Sequence, residues 1–284
     1  MNKYINYNWF GTIADHCLDF SPQQYEGWGI SKPHNKTLDP STVMPGDTIF
    51  VKTDFVYTGR FQDEYLPLIK NPFTLITGAS SYQVSKGASI SPILEDPNLL
   101  NWYCTNAPSD IDKITPLPIG FEESDRTGGN QKVIEYARKN RTKFELKRKK
   151  ILLPYHTLDT NSDRASLVNH LSSLPFVHAL TEKLSFEEYL QKVDGYQFVI
   201  CLEGSGPDVH RNYEALLVGA IPVNVRNSIG ELFSYYGLAG EFLGSWAELT
   251  EEYFKLMLNA PYDRSSSQRF LTTEYHTQLI KNAK

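Results

Sequence analysis

The sequence predicts an α/β protein made of two doubly wound parallel sheets, each covered by helices. Apolar, β-rich runs bounded by Pro, Gly or Asp alternate with stretches of helical periodicity, the pattern of strands buried on both faces and joined by crossover helices. A polar, Gly-rich stretch, GFEESDRTGGN (120–130), interrupts the alternation and divides the chain into residues 1–129 and 130–284. With 284 residues, 40% of them hydrophobic and 13% aromatic, there is apolar material for one large domain or two modest ones.

In the first half, TIFV (48–51) and FTLIT (73–77) read as strands, whereas FQDEYLPLIK (61–70) and ISPILEDPNLLNWY (90–103) read as Pro-interrupted helices. In the second half, a helix over 133–147 leads to a strand in ILLPY (151–155), a helix over 165–171 and a strand in FVHAL (176–180). SFEEYLQKV follows, with Phe186, Tyr189, Leu190 and Val193 at i, i+3, i+4 and i+7 and a capping box from Ser185 and Glu188. Next come the strand FVICL (198–202), a helix with Tyr213, Leu216 and Leu217 on one face, and the strand IPVNV (221–225). Ser228 and Glu231 supply a second capping box before a helix carrying Ile229, Leu232, Phe233 and Tyr236. Leu271, Tyr275 and Leu279, spaced by four, mark a last helix; the chain from about residue 264 is expected to return to the first half.

Charge and motifs narrow the function. With 28 basic and 33 acidic side chains the net charge is −5, so no field draws polyanions and nucleic acid is not the expected partner. The basic run KRKK (147–150) reads as a solvated helix end. Cys17, Cys104 and Cys201 have neither metal-ligand spacing nor the pattern of a disulfide framework, which fits a reducing compartment. The N-terminal residues lack the apolar core of a secretory signal and no window approaches the ~20 apolar residues of a bilayer span, so a soluble, cytoplasmic protein is expected. Zinc-protease, P-loop and elbow-serine motifs are missing as well.

The most informative segment is EGSGPDVHRNYEALLVGAIPV (203–223), which leaves a buried strand and opens a helix. Backbone amides at such a place suit an anion, and a diphosphate fits. Gly204, Ser205 and Gly206 form the turn, and Asp208 is the expected helix cap. A dinucleotide fingerprint would need glycine at position 209, where Val209 stands, so nicotinamide and flavin are not expected. His210 and Arg211 add donors and charge in the first helical turn, and Glu214, three residues after Arg211, shares its side of the helix. Arg211 would neutralise a diphosphate, and Glu214 would accept hydrogen bonds from ribose hydroxyls. The loop after ILLPY offers His156, Asn161 and Arg164 for phosphate or sugar, and Asn224 and Arg226 follow the next strand.

FVICLEGSGPDVHRNYEALLVGAIPVNV resembles the donor-binding signature of exostosin-like glycosyltransferases. IFVKTDF, PFTLITGASSY, LLNWYCTNA, ITPLPIGF and LSFEEYLQKV resemble further segments of short, soluble members of that family from bacteria and large DNA viruses, over most of positions 48–250. The resemblance implies the GT-B architecture: two Rossmann-like lobes facing a cleft, an N-terminal acceptor lobe and a C-terminal nucleotide-sugar lobe. It further implies an inverting, metal-independent transfer of a sugar from a nucleotide diphosphate, uridine diphosphate (UDP) by this likeness, to a carbohydrate acceptor, with the base held near Val177, His178 and Ala179. An inverting reaction needs one general base. Asp54, ending the strand IFVKTD, is the first candidate, with Asp15 and His16 behind it. Ser81 stands before Tyr82 where relatives carry an Asp. The alternative is a catalytically silent nucleotide- or sugar-binding module on the same fold.

Overall fold

The computed structural model describes residues 3–6, 8–21, 24, 36–108, 111, 113–158 and 162–282. The chain forms two compact units, one of Ile5–Ile119 with the chain from Thr273 onward, the other of Gly120–Thr272 with the chain up to Tyr4.

The first unit is a five-stranded, all-parallel sheet of β1 (His16–Leu18), β2 (Asp47–Lys52), β3 (Phe73–Gly78), β4 (Leu99–Thr105) and β5 (Ile114–Leu117), in that order across the sheet. Alternation along each strand divides its side chains between two cores. Ile49, Val51, Leu75, Trp102 and Cys104 face one layer, which also takes in Phe55 and Val56 of α2 (Thr53–Tyr57) and Ile93 of α3 (Ser91–Leu94). Phe50, Ile76, Tyr103 and Leu117 face the other, against Trp9 and Phe10 of α1 (Trp9–Ile13). The segment 90–103, expected to be helical, splits into the four-residue α3 and β4: Pro97 and Asn98 break the run, and LLNWYCT reaches buried positions as a strand. FQDEYLPL forms a π turn (Phe61–Tyr65) and a 3-10 turn (Leu66–Leu68), shorter than the helix its periodicity suggested.

The second unit holds β6 (Arg148–Leu153), β7 (Val177–Ala179), β8 (Tyr196–Ile200), β9 (Ile221–Val225) and β10 (Glu241–Leu243), again all parallel, in the order β10-β9-β8-β6-β7. Its helices are α4 (Gln131–Lys139), α5 (Arg164–Ser172), α6 (Phe186–Asp194), α7 (His210–Val218), α8 (Ser228–Tyr236), α9 (Glu251–Asn259) and α10 (Ser267–Phe270); α11 (Thr273–Asn282) belongs to the first unit, where Ile280 joins the core of Trp9 and Phe10. Ile151, Leu153, Phe198, Ile200, Ile221 and Val223 build one core with α5 and α9, while Leu152, Val199 and Cys201 build the other with α6 and α7. Each such aliphatic side chain, once buried, contributes about 1.5–3 kcal/mol.

Local signals behave unevenly. The Ser185–Glu188 capping box forms as expected. The expected box at Ser228 and Glu231 does not cap α8; Asn227 does, its side chain accepting from the Ile229 amide. KRKK is not a helix end. The helix stops at Lys139, Arg148–Lys150 open β6, and Lys147 is buried with its Nζ 2.6 Å from the Asp194 carboxylate, which also accepts from Thr142. Burial pushes the Lys147 ammonium below its ordinary pKa, and Asp194 opposes the shift. That ion pair ties the end of α6 to the start of β6. Asp194→Ala leaves a buried ammonium uncompensated, and urea unfolding is expected to show a loss of about 3 kcal/mol; unchanged stability would contradict the pairing.

Candidate functional site

The strand order of the second unit reverses at β6, because β7 lies on one side of it and β8, β9 and β10 on the other. Chain leaving the carboxyl ends of β6 and β8 must therefore diverge, and ligands bind beyond such a point. A cavity of about 550 Å³ is found there. Its walls come from the loop after β6 (Tyr155, Thr157), the loop after β7 (Leu180 to Ser185), the first residue of α5 (Arg164), Tyr189 of α6, and Arg211 and Glu214 of α7.

Arg211 is held by uncharged groups. Its guanidinium donates to the Tyr155 carbonyl at 3.0 Å and to His156 Nδ1 at 3.1 Å, and it has no ion-pair partner within 4 Å among the described residues. His156 is 4% exposed, and burial, with Arg211 and Arg164 beside it, pushes its imidazole down to about 2. A neutral ring whose Nδ1 accepts carries its proton on Nε2, which is buried without a partner among the described residues. Arg164 is likewise buried and fastened to backbone, donating to the carbonyls of Thr157 (3.1 Å) and Glu203. Two guanidiniums thus border one cavity, and that of Arg211 has its orientation fixed by neutral acceptors.

Glu214 faces the same cavity from a helix whose residues Asn212–Val218 are all buried. Desolvation raises its carboxyl pKa, opposed by Arg211 and His210, and Tyr189 beside it is raised well above the ordinary phenol value for the same reason. The turn before α7 is anchored from within. Val209, not Asp208, occupies the N-cap position; the Asp208 carboxylate accepts from Asn212 Nδ2 at 3.2 Å and from the Tyr213 hydroxyl, and Asn224 donates to Asn212 at 3.1 Å. Asn224 is buried and serves this network, whereas Arg226 is exposed.

Of the residues expected to bind a donor, Arg164, Arg211 and Glu214 line the cavity, and His156 backs Arg211. Gly204, Ser205, Gly206 and Asp208 do not line it, nor does His210, whose Nδ1 donates to the Gly120 carbonyl at 2.7 Å. His178 lies on the edge strand β7 and bonds the Tyr196 hydroxyl. Asn161 lies outside the described residues. Glu122, Thr127 and Gly128 add to the wall from the stretch that composition suggested was a linker. That stretch is folded on itself. Glu122 accepts from the Gly128 amide at 3.2 Å, and a Cβ on Gly129 would meet the Glu123 carbonyl oxygen at 1.9 Å, so only glycine fits.

In the first unit, Asp54 follows the carboxyl end of β2, with Oδ2 3.3 Å from the Nζ of Lys52, which also donates to the Ala79 carbonyl. Tyr57 and Tyr82 stack nearby in the chain with centroids 4.2 Å apart. Asp15 and His16 stand at the opposite, amino edge of that sheet. The Asp15 carboxylate accepts from the Thr48 amide at 2.9 Å, and His16 Nε2 meets the Asp47 carboxylate at 2.9 Å. No cluster of three or more His, Cys, Asp or Glu side chains suited to a metal occurs among the described residues.

No protein-family model matches the chain, and no curated protein matches it. A solved structure described as "Crystal structure of GtfA/B complex" is similar at 12% identity and a TM-score of 0.39, over 85% of this chain and 58% of that one. The chain thus spans less than two thirds of that protein's length. A likeness at that level carries no weight for the fold or the chemistry. Among the described residues no helix is long and apolar enough to cross a membrane.

Two pH effects follow from the buried groups. His156 has a depressed folded pKa against about 6.5 unfolded, so stability present above pH 6.5 is lost as pH falls toward 2. Below pH 6 the parent should lose up to about 1.4 kcal/mol per pH unit more than His156→Gln in urea titrations; equal slopes would contradict the burial. Glu214 has the reverse sign: its raised carboxyl pKa costs stability above the ordinary carboxylate range and nothing below it. Glu214→Gln should therefore melt higher than the parent at pH 7, with the gain closing as pH falls toward about 4.5.

Proposed function

We propose that the protein is a glycosyltransferase of the exostosin-like, GT-B kind that takes a sugar from a nucleotide diphosphate, UDP in our reading, and gives it to a carbohydrate hydroxyl with inversion. The observation that carries this is the pairing of Arg211 and Glu214 on one side of α7, at a cavity beyond the strand-order reversal, with Arg164 on the same wall. A diphosphate is the anion that suits the Arg211 guanidinium, held by neutral acceptors, with a second guanidinium on the same wall. Each charge-assisted hydrogen bond to it is about twice as strong as a neutral one. Glu214, one helical turn from Arg211, accepts from the ribose hydroxyls, and Tyr155, 40% exposed at the cavity, offers its ring to the base.

In the reaction, the acceptor hydroxyl oxygen attacks the anomeric carbon while the bond from that carbon to the diphosphate oxygen breaks. The electron pair leaves with the nucleotide diphosphate, whose growing charge meets Arg211 and Arg164. The acceptor proton passes to a carboxylate base. Asp54 is assigned that role because it lies at the carboxyl edge of its sheet, where folds of this kind gather ligands, whereas Asp15 and His16 lie at the amino edge. No metal is assigned to the reaction.

The Lys52–Asp54 pair at 3.3 Å favours a second reading, because a carboxylate occupied by a neighbouring ammonium is not turned to an acceptor hydroxyl. In that reading the chain binds nucleotide and sugar without turnover. Calorimetry and a donor panel separate the two. Arg211→Ala should weaken UDP binding by about 1.5–3 kcal/mol, and unchanged affinity would remove Arg211 from the diphosphate. Asp54→Asn should leave UDP affinity intact and lower turnover; a full rate excludes it as base, and a folded parent that binds UDP without transfer or hydrolysis supports the silent module.

A further inference from the structure

The amino edge of the second sheet carries a charge pattern that sugar transfer does not use. Residues 138–150, RKNRTKFELKRKK, hold eight basic side chains against one acid in a chain of net charge −5. They run from the last turn of α4 through a 3-10 turn (Phe144–Leu146) to the first residues of β6. Arg138, Arg141, Lys143, Phe144, Gly219 and Arg264 line a concavity of about 540 Å³ there.

Part of this charge has a local explanation. Arg138 and Lys139 complement the carboxyl end of α4 and pair with Glu135, Arg264 pairs with Glu145 over the Phe144 ring, and Lys147 is bound to Asp194. Lys132, Lys143, Lys149 and Lys150 have no such role. All four are exposed, and none has an ion-pair partner within 4 Å among the described residues. Among them stand two large apolar side chains: Leu146, 76% exposed and the most exposed large hydrophobic side chain among the described residues, and Tyr136, 56% exposed. Lys132, Tyr136 and Lys139 fall at i, i+4 and i+7, on one face of α4.

Lysines interleaved with exposed leucine and tyrosine match the two attractions of a membrane surface, anionic headgroups and the interfacial apolar layer. We propose that this edge docks the protein on an anionic lipid bilayer, with headgroup phosphates meeting Lys143, Lys149, Lys150 and the concavity, and with Leu146 and Tyr136 entering the interface. A long nucleic acid fits less well, because it gives Leu146 nothing to bury against and would run from this patch onto a protein that is otherwise acidic. A planar bilayer touches the patch alone, and charges farther away than the Debye length of about 8 Å are screened. The edge lies at the opposite end of β6 from the candidate donor cavity, so docking and donor binding do not compete for residues.

Flotation of the full chain with vesicles tests this. The protein should float with phosphatidylcholine vesicles containing phosphatidylglycerol, stay behind with pure phosphatidylcholine, and be released by high salt. The triple change K143E, K149E and K150E should lower partitioning by at least a hundredfold, since each lysine near such a surface is worth about fivefold. L146Q should lower it about tenfold. Thermal melts of both variants confirm folding. Flotation with both vesicle types alike, or with neither, overturns the proposal. So does an L146Q protein that binds like the parent, or an RNA that binds the parent while the vesicles do not, since that marks a site for soluble polyanions.

Discussion

The interaction on which the candidate site of the second unit depends is the hold on the Arg211 guanidinium where the sheet reverses its strand order. Beyond β6 and β8 the chain parts, and Arg211 spans from α7 to the β6 loop by donating to the Tyr155 carbonyl and to His156. Had either acceptor been a carboxylate, the positive charge would have been spent internally. A buried imidazole kept neutral and a backbone carbonyl fix the direction of the side chain while leaving its charge for a ligand.

The same economy explains why α7 is buried over so much of its length and still polar inside. Asp208, Asn212, Tyr213 and Asn224 close a hydrogen-bonded network that joins the turn after β8 to α7 and β9. Partly satisfied networks in a low dielectric are costly, and none of these four side chains has a buried polar atom left without a hydrogen-bond partner. Glu214 is left in an environment that disfavours its charge, beside Arg211 and on the cavity wall. Strain of that kind is relieved by a ligand that donates hydrogen bonds.

Periodicity made the two-sheet α/β architecture legible, because strands such as FVICL and IPVNV are buried on both faces and cannot be amphipathic helices of their length. The placement of Arg211, Glu214 and Arg164 on one cavity wall was legible for a different reason: their distance from a strand end fixes where a parallel sheet must put them. The misses have physical causes. LLNWYCT follows an apolar, Pro-containing run, and tertiary pairing with β3 decided its state rather than local preference. The Gly-rich stretch looked like a linker, since composition does not distinguish a flexible chain from a loop whose glycines are demanded by close backbone contacts, as at Gly129. Lys147 was hidden in a basic run because its partner, Asp194, is 47 residues away in sequence. The parts played by His156 and Asn224 likewise depend on contacts between segments that sequence spacing does not encode.

In the proposed function Arg211 and Glu214 receive a nucleoside diphosphate at the carboxyl ends of β6 and β8. A crystal of the protein soaked with UDP tests it most directly. Diphosphate oxygens should lie within hydrogen-bonding distance of the Arg211 guanidinium, with a ribose hydroxyl on the Glu214 carboxylate. A nucleotide bound elsewhere, or density in that cavity with Arg211 still turned to Tyr155 and His156 and touching no phosphate, would contradict it.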